Sequence, residues 1–429
     1  MTRKERSWIL YDWAHSAYSV VILAAVFPIF FKGFAAHGIA EYQSTSALAF
    51  GNSVYVLIVA VLAPILGTIA DFRGFKKRFF LGFFLLGVLG TLALVFTAEG
   101  RWLLALLVYM LSGIGYAGSN IFYDSFIVDV TPRERMNWVS SSGFGWGYLG
   151  GTILFVIALL FIVGYKRLGF ATNVPAVRIA FGLTAVWWII FTIPLLRNVE
   201  QTHFMERTSR VARDSFRRIA ETLRDARELK LLFGFLIAYF FYIDGVDTII
   251  IMATSYGTDA GLSANSLLLI LLLVQIVAFP FALIYGKLAD RTSARFMILT
   301  GISVYVVITA IAFFLPTLPT TSGKTAMFLV LALLVATSQG GIQALSRSLY
   351  GRLVPQERSA EFFGFYNIFG KFSAIIGPAL LGLGTALFHT SRAGVLSLVI
   401  LFIAGGVLLV RLPLHRGGTE TSFSAGSAE

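Results

Sequence analysis

Two copies of one short motif indicate the fold: GTIADFR at residues 67–73 and GKLADR at residues 286–291. The first copy follows the second long apolar run of the chain, and the second copy follows the eighth. A further pair of loops, PRER at 132–135 and PQER at 355–358, follows the fourth and tenth runs with nearly the same offset. Each half therefore holds an even number of runs. This arrangement predicts two parallel six-helix repeats related by an axis normal to a membrane.

The composition indicates that these apolar runs span a membrane. Of the 429 residues, 57% are hydrophobic and 13% are charged, whereas a soluble domain carries about a quarter charged residues. A membrane-spanning helix needs about 20 apolar residues. We predict an all-α membrane protein with twelve transmembrane helices, at approximately 8–32, 47–70, 79–98, 102–128, 138–163, 176–196, 231–254, 264–285, 296–315, 326–350, 361–388 and 393–412.

The distribution of basic residues predicts the orientation. Most of the 34 Lys and Arg lie at the two termini and in the links that follow even-numbered runs. Cytoplasmic loops carry an excess of Lys and Arg, so we expect both termini in the cytoplasm and a multi-pass protein of a bacterial inner membrane. The net charge of +12 then follows from orientation and from contact with anionic lipid headgroups. We expect no nucleic-acid partner.

A basic linker separates the two halves. We expect an N-terminal six-helix bundle at 1–196, a cytoplasmic linker at 197–230, a C-terminal six-helix bundle at 231–412 and a cytoplasmic tail at 413–429. Apolar residues recur at helical spacing between the arginines of the linker, which predicts an amphipathic helix on the cytoplasmic leaflet. The alternative is a solvated linker whose charges only set the topology.

These features resemble the major facilitator superfamily over essentially the whole chain, and the stretch from Gly67 to Arg78 looks like its signature loop. Residues 11–18 (YDWAHSAY), 242–248 (YIDGVDT) and 340–348 (GGIQALSRS) together resemble the vacuolar-effluxer branch, also called the unknown-major-facilitator group. The first motif of that branch normally reads DWAN, and this chain has His15 in place of the Asn. The resemblance implies a transporter. Fungal members of the branch are associated with amino-acid export from the vacuole.

The resemblance also implies a gate at the cytoplasmic end. In the superfamily, the acid of the signature loop caps the cytoplasmic end of helix 11 and pairs with a nearby arginine while the site faces outward. This assigns Asp71 and Arg73 to a gate, and Asp290 and Arg291 to the equivalent place at the start of helix 5, near residues 140–142. A carboxylate beside the free amides of a helix N-terminus is stabilised by about 0.3–1 kcal/mol, which transport can overcome. The alternative is that these residues only belong to the usual excess of basic residues in cytoplasmic loops and form no gate.

Helices 4 and 10 face one another in this architecture, and the repeat offset therefore predicts two further pairs. Asp124 matches Arg347, and Asp129 matches Arg352. We expect these acids and bases to form ion pairs across the interface of the two halves, as part of the cytoplasmic gate. Pairing within each half is the alternative.

Asp244 and Asp247 are the strongest sign of a polar site inside the membrane. They lie three residues apart in predicted helix 7, where a charged carboxylate costs at least about 2.5–3.5 kcal/mol, so we expect them to face a cavity or a partner. They could bind a proton or a substrate cation, or form a structural ion pair, for instance with Lys371 of helix 11. Lys371 could instead bind a substrate carboxylate, and the acids and this lysine together would suit a zwitterion.

Five other polar residues complete the predicted pathway: Asp12, His15, Asn120, Gln339 and Gln343. Asp12 and His15 share one face of helix 1, where His15 could carry protons or be a packing residue. Gln339 and Gln343 lie on one stripe of helix 10 with Arg347. Polar stripes line cavities more often than they face lipid, and hydrogen bonding between helices is the alternative for each amide.

We therefore predict a secondary active transporter that moves a small polar or zwitterionic solute by alternating access, with an amino acid, export and proton coupling favoured. An exporter of lipids or amphiphiles and a non-transporting membrane sensor or scaffold are the alternatives. The sequence contains no catalytic constellation, no nucleotide-binding loop and no cysteine, so we expect neither enzyme activity nor a cofactor. The expected partners are the solute, protons and the lipid bilayer, and the expected state is a monomer.

Overall fold

The computed structural model describes residues 1–206, 215, 217, 218, 221, 222, 229–259, 261–388 and 391–413. This part of the chain forms twelve long helical segments: α1 (Arg3–Ala35), α2 (Glu41–Ala70), α3 (Phe75–Leu94), α4 (Trp102–Ser125), α5 (Met136–Val163), α6 (Val174–Asn198), α7 (Lys230–Asp259), α8 (Ala264–Arg291), α9 (Ala294–Phe314), α10 (Thr321–Leu353), α11 (Ser359–Phe388) and α12 (Ser391–Ser397 continued by Val399–Arg411). Eleven are long and apolar enough to cross a membrane, and α11 has 30 residues of similar character. The predicted all-α, twelve-helix architecture is confirmed.

Several helices extend beyond the predicted apolar runs. α1 begins at Arg3 because Thr2 and Glu5 form a capping box, in which each side chain accepts a hydrogen bond from the backbone N–H of the other residue. Within α1, Ser19–Ala25 and Phe31–Ala35 are π-helical. α8 and α10 likewise continue past their apolar runs into polar loops. In these three helices the apolar run is therefore shorter than the helix itself.

The two halves share one packing scheme. In the N-terminal half α1 packs on α5 and α6, and α4 packs on α2 and α3. In the C-terminal half α7 packs on α11 and α12, and α10 packs on α8 and α9. Each contact of the first half thus recurs in the second with the helix number raised by six, as parallel repeats require.

One end of the bundle carries the linker, and we call this end the linker face. Here Lys77 donates to the Val199 carbonyl, and Gln201 contacts the backbone of the loop between α2 and α3. Arg295 at the start of α9 donates to the Leu412 carbonyl after α12. The predicted amphipathic helix lies for the most part at 207–214 and 223–228, outside the described residues, as does the tail from residue 414.

The halves are in contact at the linker face. α2 packs on α11, and α5 packs on α8 and α10. Two glycines permit the first of these contacts, because Gly67 lies against the carbonyl of Ala360 and Gly364 lies against the carbonyl of Ala63. This packing closes the linker face, and a cavity remains deeper in the bundle.

Candidate functional site

A polar cavity of about 340 Å³ lies between the two halves. Helices α1, α4 and α5 line one side, and helices α7, α8, α10 and α11 line the other. Six of the residues that the sequence analysis assigns to a pathway or gate line this cavity: His15, Asp124, Asp247, Gln343, Arg347 and Lys371. The fold therefore brings polar and charged side chains from five different helices to one space.

Asp247 and Lys371 place opposite charges on the cavity wall. The Gln343 amide donates to Asp247 over 3.4 Å, and the Tyr148 hydroxyl donates to Gln343 over 3.4 Å. Asp247 and Lys371 are near enough to interact electrostatically, but no ion pair within 4.0 Å joins them among the described residues. Each charge is therefore available to a ligand.

Several polar atoms on the cavity wall have no hydrogen-bond partner in the described part of the chain. They include both ring nitrogens of His15 and the side-chain oxygen of Gln275. The His15 ring stacks on Tyr116, with centroids 4.3 Å apart, and this contact fixes its orientation. A buried polar group left unsatisfied costs about 1–3 kcal/mol. These atoms are therefore suited to bind a solute or water.

Arg347 forms the floor of the cavity toward the linker face. Its guanidinium donates to Asp12 over 2.9 Å, to Asp124 over 3.1 Å and to the Ser140 hydroxyl over 2.9 Å. Arg347 belongs to the C-terminal half, and its three partners belong to the N-terminal half. We call Asp12, Asp124 and Arg347 the floor cluster. The expected pair of Asp124 and Arg347 is present, whereas Asp12 lies in this cluster and not on the cavity wall.

The sequence did not identify the residues that surround Arg347. The rings of Trp8 and Phe144 lie 4.5 and 4.4 Å from its guanidinium carbon, within the range of cation–π contacts. Gly143 leaves room for the ion pair, because a Cβ at this position would overlap the Asp12 carboxylate. The small residues SSSG at 140–143 were the available signal for this close approach.

Asp244 does not lie beside Asp247 on the cavity wall, which corrects the prediction that the two acids form one site. Its carboxylate accepts a hydrogen bond from the N–H of Gly377 over 2.9 Å. Pro378 disturbs the hydrogen-bond ladder of α11 at this point. Residues three apart on a helix differ in direction by about 60°, so Asp244 faces α11 while Asp247 faces the cavity.

Asn120 and Gln339 also lie off the cavity wall. Asn120 is next to the Tyr116 hydroxyl, and its side-chain oxygen has no partner in the described part. Gln339 is only 5% exposed. Gln343, one turn further along α10, does line the cavity, so only part of the predicted polar stripe faces it.

Asp71 caps α11 across the interface of the halves. Its carboxylate accepts hydrogen bonds from the N–H groups of Ala360 over 2.8 Å and Glu361 over 3.1 Å, in the first turn of α11. Burial raises the pKa of Asp71 to about 7, although Lys76, Arg218 and the Ala360 N–H lower it. The cap that the resemblance implies is therefore formed by a group that titrates near neutral pH.

The linker supplies the arginine beside Asp71. Arg218 donates to Glu361 over 2.7 Å and to Asp71 over 3.4 Å, and both carboxylates are fully buried. Arg73, which the sequence analysis assigns to this gate, is exposed and lies 3.8 Å from Glu206 of the linker. The reason is that the linker covers this loop, with its backbone paired to Arg73, and inserts its own arginine from the other side.

Asp129 does not pair with Arg352, and that prediction is wrong. Asp129 accepts from Lys76 over 2.8 Å, and Thr202 and His203 of the linker donate to its other oxygen. Burial raises the pKa of Asp129, but Lys76 and His203 outweigh this and lower it to about 2. The repeat offset takes no account of the linker, which occupies the space beside Asp129.

The second copy of the loop motif is more exposed to solvent than the first. Asp290 and Arg291 are exposed, whereas Asp71 is buried. Asp290 lies beside Asn137 in the first turn of α5 and near Arg352, and the buried Nε of Arg352 has no hydrogen bond within the described residues. Among the described residues, Asp290 thus reaches the start of α5 without backbone hydrogen bonds like those that Asp71 accepts from α11.

We expect the substitution Lys76→Met to destabilise the protein strongly. It leaves Asp129 buried without its cation, and removing one partner of a buried pair costs about 3–5 kcal/mol. Thermal unfolding in detergent should show a midpoint lower by roughly 3–6 °C. Because the pKa of Asp129 is lowered to about 2, its contribution is lost only as the pH falls from about 4 toward 2. In the variant Lys76 no longer opposes the effect of burial, so the pKa of Asp129 lies higher and protonation relieves its buried charge. The deficit should therefore be largest at pH 8 and shrink as the pH falls.

The control for this prediction is Lys77→Met, because Lys77 is the next residue and donates to a single backbone carbonyl. We expect a much smaller decrease in its unfolding midpoint. Equal decreases in the two variants would contradict a specific role for the Lys76 and Asp129 pair.

Comparison with known proteins shows relatives along the whole chain. A family model described as "Vacuole effluxer Atg22 like" matches residues 1–422. YxiO, an uncharacterized MFS-type transporter of Bacillus subtilis (strain 168), is 49% identical over 415 residues, which cover 96% of this chain and 95% of that protein. Autophagy-related protein 22 of Eremothecium gossypii is 24% identical over 481 residues, which cover 98% of this chain and 93% of that protein.

Solved structures of transporters have the same fold. The proton:xylose symporter XylE superimposes with a TM-score of 0.70 at 14% identity, over 95% of this chain and 94% of that chain. A bacterial homologue of the iron transporter ferroportin, in an outward-facing state, superimposes with a TM-score of 0.70 at 13% identity, over 96% and 99% of the two chains. At such low identity the likeness concerns the twelve-helix fold alone.

Proposed function

This chain belongs to the vacuole effluxer Atg22-like family of the major facilitator superfamily, and from that premise we propose that it exports a small zwitterionic solute, with an amino acid as the preferred class. The transport mechanism is alternating access, and protons supply the driving force. The relatives are transporters, and no catalytic family is indicated.

The observation that carries this proposal is the pair of unbridged opposite charges on one cavity wall. An amino acid has an ammonium group and a carboxylate. Asp247 would accept hydrogen bonds from the ammonium group, and Lys371 would donate to the carboxylate. Charge-assisted hydrogen bonds of this kind are about twice as strong as neutral ones. A ligand with both charges therefore satisfies two groups that the protein leaves without a direct counter-ion.

The size and chemistry of the cavity favour a polar solute over a lipid. A volume of about 340 Å³ lies within the range of small-molecule sites. An exporter of lipids should leave few polar groups on its wall, whereas this wall carries Asp247, Lys371, Gln343 and the unpartnered nitrogens of His15. A sensor or scaffold that transports nothing does not require a cavity lined by charged and polar groups.

We propose that the linker face is cytoplasmic, in a bacterial plasma membrane. The excess of Lys and Arg in the loops of this face supports the orientation, and the Bacillus relative supports the location. With this orientation the closed face is the inner one, and the structure corresponds to a state that faces outward.

Transport into proteoliposomes tests the proposal. The purified protein is reconstituted and a panel of labelled amino acids is supplied, with and without an imposed pH gradient. We expect accumulation of one amino-acid class and stimulation by the gradient. Asp247→Asn and Lys371→Met should each raise the KM by about 10- to 100-fold, because each removes a charge-assisted contact of about 1.5–3 kcal/mol.

Two exposed residues of the C-terminal half supply matched controls. Glu357→Gln and Lys287→Met remove the same charges outside the cavity, and we expect unchanged KM values. If no member of the panel is transported by the wild type, or if the cavity variants behave like these controls, the proposed substrate class is wrong.

A further inference from the structure

The cavity and its floor contain one more carboxylate than Lys and Arg side chains. Within the described part, the floor cluster and the wall hold three carboxylates, Asp12, Asp124 and Asp247, against one guanidinium and one ammonium group, Arg347 and Lys371, and the imidazole of His15. A buried charge without compensation is unfavourable. This space therefore favours one additional cation, and a proton is the cation that a carboxylate binds directly.

The floor cluster is also where a proton would change the contact between the two halves. Arg347 belongs to α10, and its ion-pair partners belong to α1 and α4. Opening of the linker face requires α10 to separate from the N-terminal half. The two ion pairs oppose this separation, and loss of one of them weakens the attraction.

We propose that Asp124 is the site where proton binding is coupled to opening of the linker face. A proton that enters from the cavity binds a carboxylate oxygen of Asp124 and neutralises it, so that its ion pair with Arg347 is lost. Asp12 then holds Arg347 alone, and the linker face opens. The proton leaves Asp124 on the linker side. The inference rests on the proposed transport function and assigns its coupling residue.

Asp124 fits this role better than Asp12 does. Asp124 lines the cavity, and its side chain is 15% exposed against 8% for Asp12. The Asp12 carboxylate packs so closely on Gly143 that a Cβ on residue 143 would overlap it. A proton from the cavity therefore reaches Asp124 first, while Asp12 retains its contact with Arg347.

Other titratable groups surround Asp124 on every packed helix. The groups that face it or the cavity are Asp12 and His15 of α1, Tyr116 and Tyr123 of α4, Tyr148 of α5, Asp247 and Tyr239 of α7, Arg347 of α10, and Tyr366 and Lys371 of α11. The carboxylates among them favour proton binding, and Arg347 and Lys371 oppose it. The proposal therefore requires that removal of the Asp124 carboxylate, and not of Asp247, abolishes the pH response.

The direction of coupling agrees with export. With the linker face toward the cytoplasm, a proton that binds in the state facing outward is carried inward when the linker face opens. The solute then binds from the cytoplasm and leaves in the opposite direction. One proton entering for each solute molecule exported is antiport.

A distance measurement tests the coupling without any substrate. The chain contains no cysteine, so Glu134→Cys and Glu357→Cys place spin labels on two exposed, repeat-related loops of the linker face, one in each half. In lipid nanodiscs the parent protein should show a short distance at pH 8 and a growing population of a longer distance toward pH 5. In Asp124→Asn, which resembles the protonated acid, the longer distance should dominate at both pH values.

Two further variants separate coupling from damage to the fold. Asp124→Glu keeps an ionisable group and should retain a pH response, and Asp247→Asn should retain a response that is shifted to lower pH, because it removes one of the carboxylates that favour proton binding. If Asp124→Asn shows the same pH-dependent shift as the parent, or if Asp247→Asn loses the shift and Asp124→Asn keeps it, the assignment is overturned.

The transport assay separates this inference from the proposed function. In proteoliposomes, Asp124→Asn should still exchange the solute across the membrane at equal pH but lose its stimulation by a pH gradient. Absence of any amino-acid transport by the wild type would contradict the proposed function, while the label distances would still decide the role of Asp124. Gradient stimulation that persists in Asp124→Asn would contradict the coupling role alone.

Discussion

Replacement of Arg218 by Met should shift the protein strongly toward a state with an open linker face. Arg218 neutralises two fully buried carboxylates, Asp71 of the N-terminal half and Glu361 of the C-terminal half. Without it, Asp71 loses its arginine and faces the Glu361 carboxylate across the closed interface, and Glu361 keeps, among the described residues, only its ion pair with Arg358 at 2.8 Å. Loss of one partner from a buried ion pair costs about 3–5 kcal/mol, which corresponds to a change of more than 100-fold in the ratio of the two states.

The effect of Arg218→Met should depend on pH, and the sign follows from the pKa of Asp71. Burial raises this pKa to about 7. Removal of Arg218 raises the pKa of Asp71 further, because Arg218 is one of the groups that lower it. As the pH falls from 8 to 6, protonation of Asp71 increases and its repulsion with the Glu361 carboxylate falls. We therefore expect the increase in open population that Arg218→Met causes, relative to the parent protein at the same pH, to be larger at pH 8 than at pH 6, as measured by the label pair at positions 134 and 357.

The neighbouring Arg217 provides a matched control. Its side chain is 69% exposed and pairs with Glu221 one turn away, and an exposed pair of this kind contributes at most about 1 kcal/mol. Arg217→Met should leave the label distances unchanged. If Arg218→Met at pH 8 has the same label distances as Arg217→Met, the linker face is closed without Arg218. That result would show that the linker arginine does not hold the halves together.

Gly67→Ala should have the second large effect, because this glycine lets α2 approach the backbone of α11. A Cβ at position 67 would overlap the Ala360 carbonyl oxygen, and backbone cannot move aside as a flexible side chain can. Overpacking of this kind costs about 1–3 kcal/mol, and here the cost falls only on the state in which the linker face is closed. We expect longer label distances and a transport rate at least 10-fold lower.

Gly364→Ala tests the same contact from the opposite helix, because its Cβ would lie 2.7 Å from the Ala63 carbonyl oxygen. It should have the same effect as Gly67→Ala, and the two together should add little, since either alone separates α2 from α11. Gly182→Ala is the control, because no atom lies within 4 Å of its added Cβ. If Gly67→Ala gives the distances and rates of Gly182→Ala, the glycine is not needed for closure.

Residues whose position depends on helix order could be predicted from the sequence. The repeat offset placed Asp124 opposite Arg347, and the ion pair is present. The loop motif placed Asp71 at the start of α11, where it accepts two backbone hydrogen bonds. Both contacts follow from which helix ends meet. The spacing of the parallel repeats indicates the first, and the resemblance to the major facilitator superfamily implies the second.

Residues whose position depends on helix rotation could not be predicted in the same way. Asp244 and Asp247 are three residues apart, and only packing against α11 decides that one binds the Gly377 backbone while the other faces the cavity. Asp12 meets Arg347 across 335 positions of sequence. A rotation of α1 by one residue, about 100°, would remove that pair without changing any sequence pattern.

The sequence by itself determined the number of helices, their parallel repetition and the polar residues inside the membrane, because hydropathy and loop spacing act locally along the chain. The tertiary structure alone decided which of those residues share a cavity and which arginine closes the linker face. Arg218 reaches Asp71 from 147 positions away through a linker whose spacing is unrelated to the repeats. Such a contact depends on the folded path of the chain, since buried charges select their partners by distance and not by sequence order.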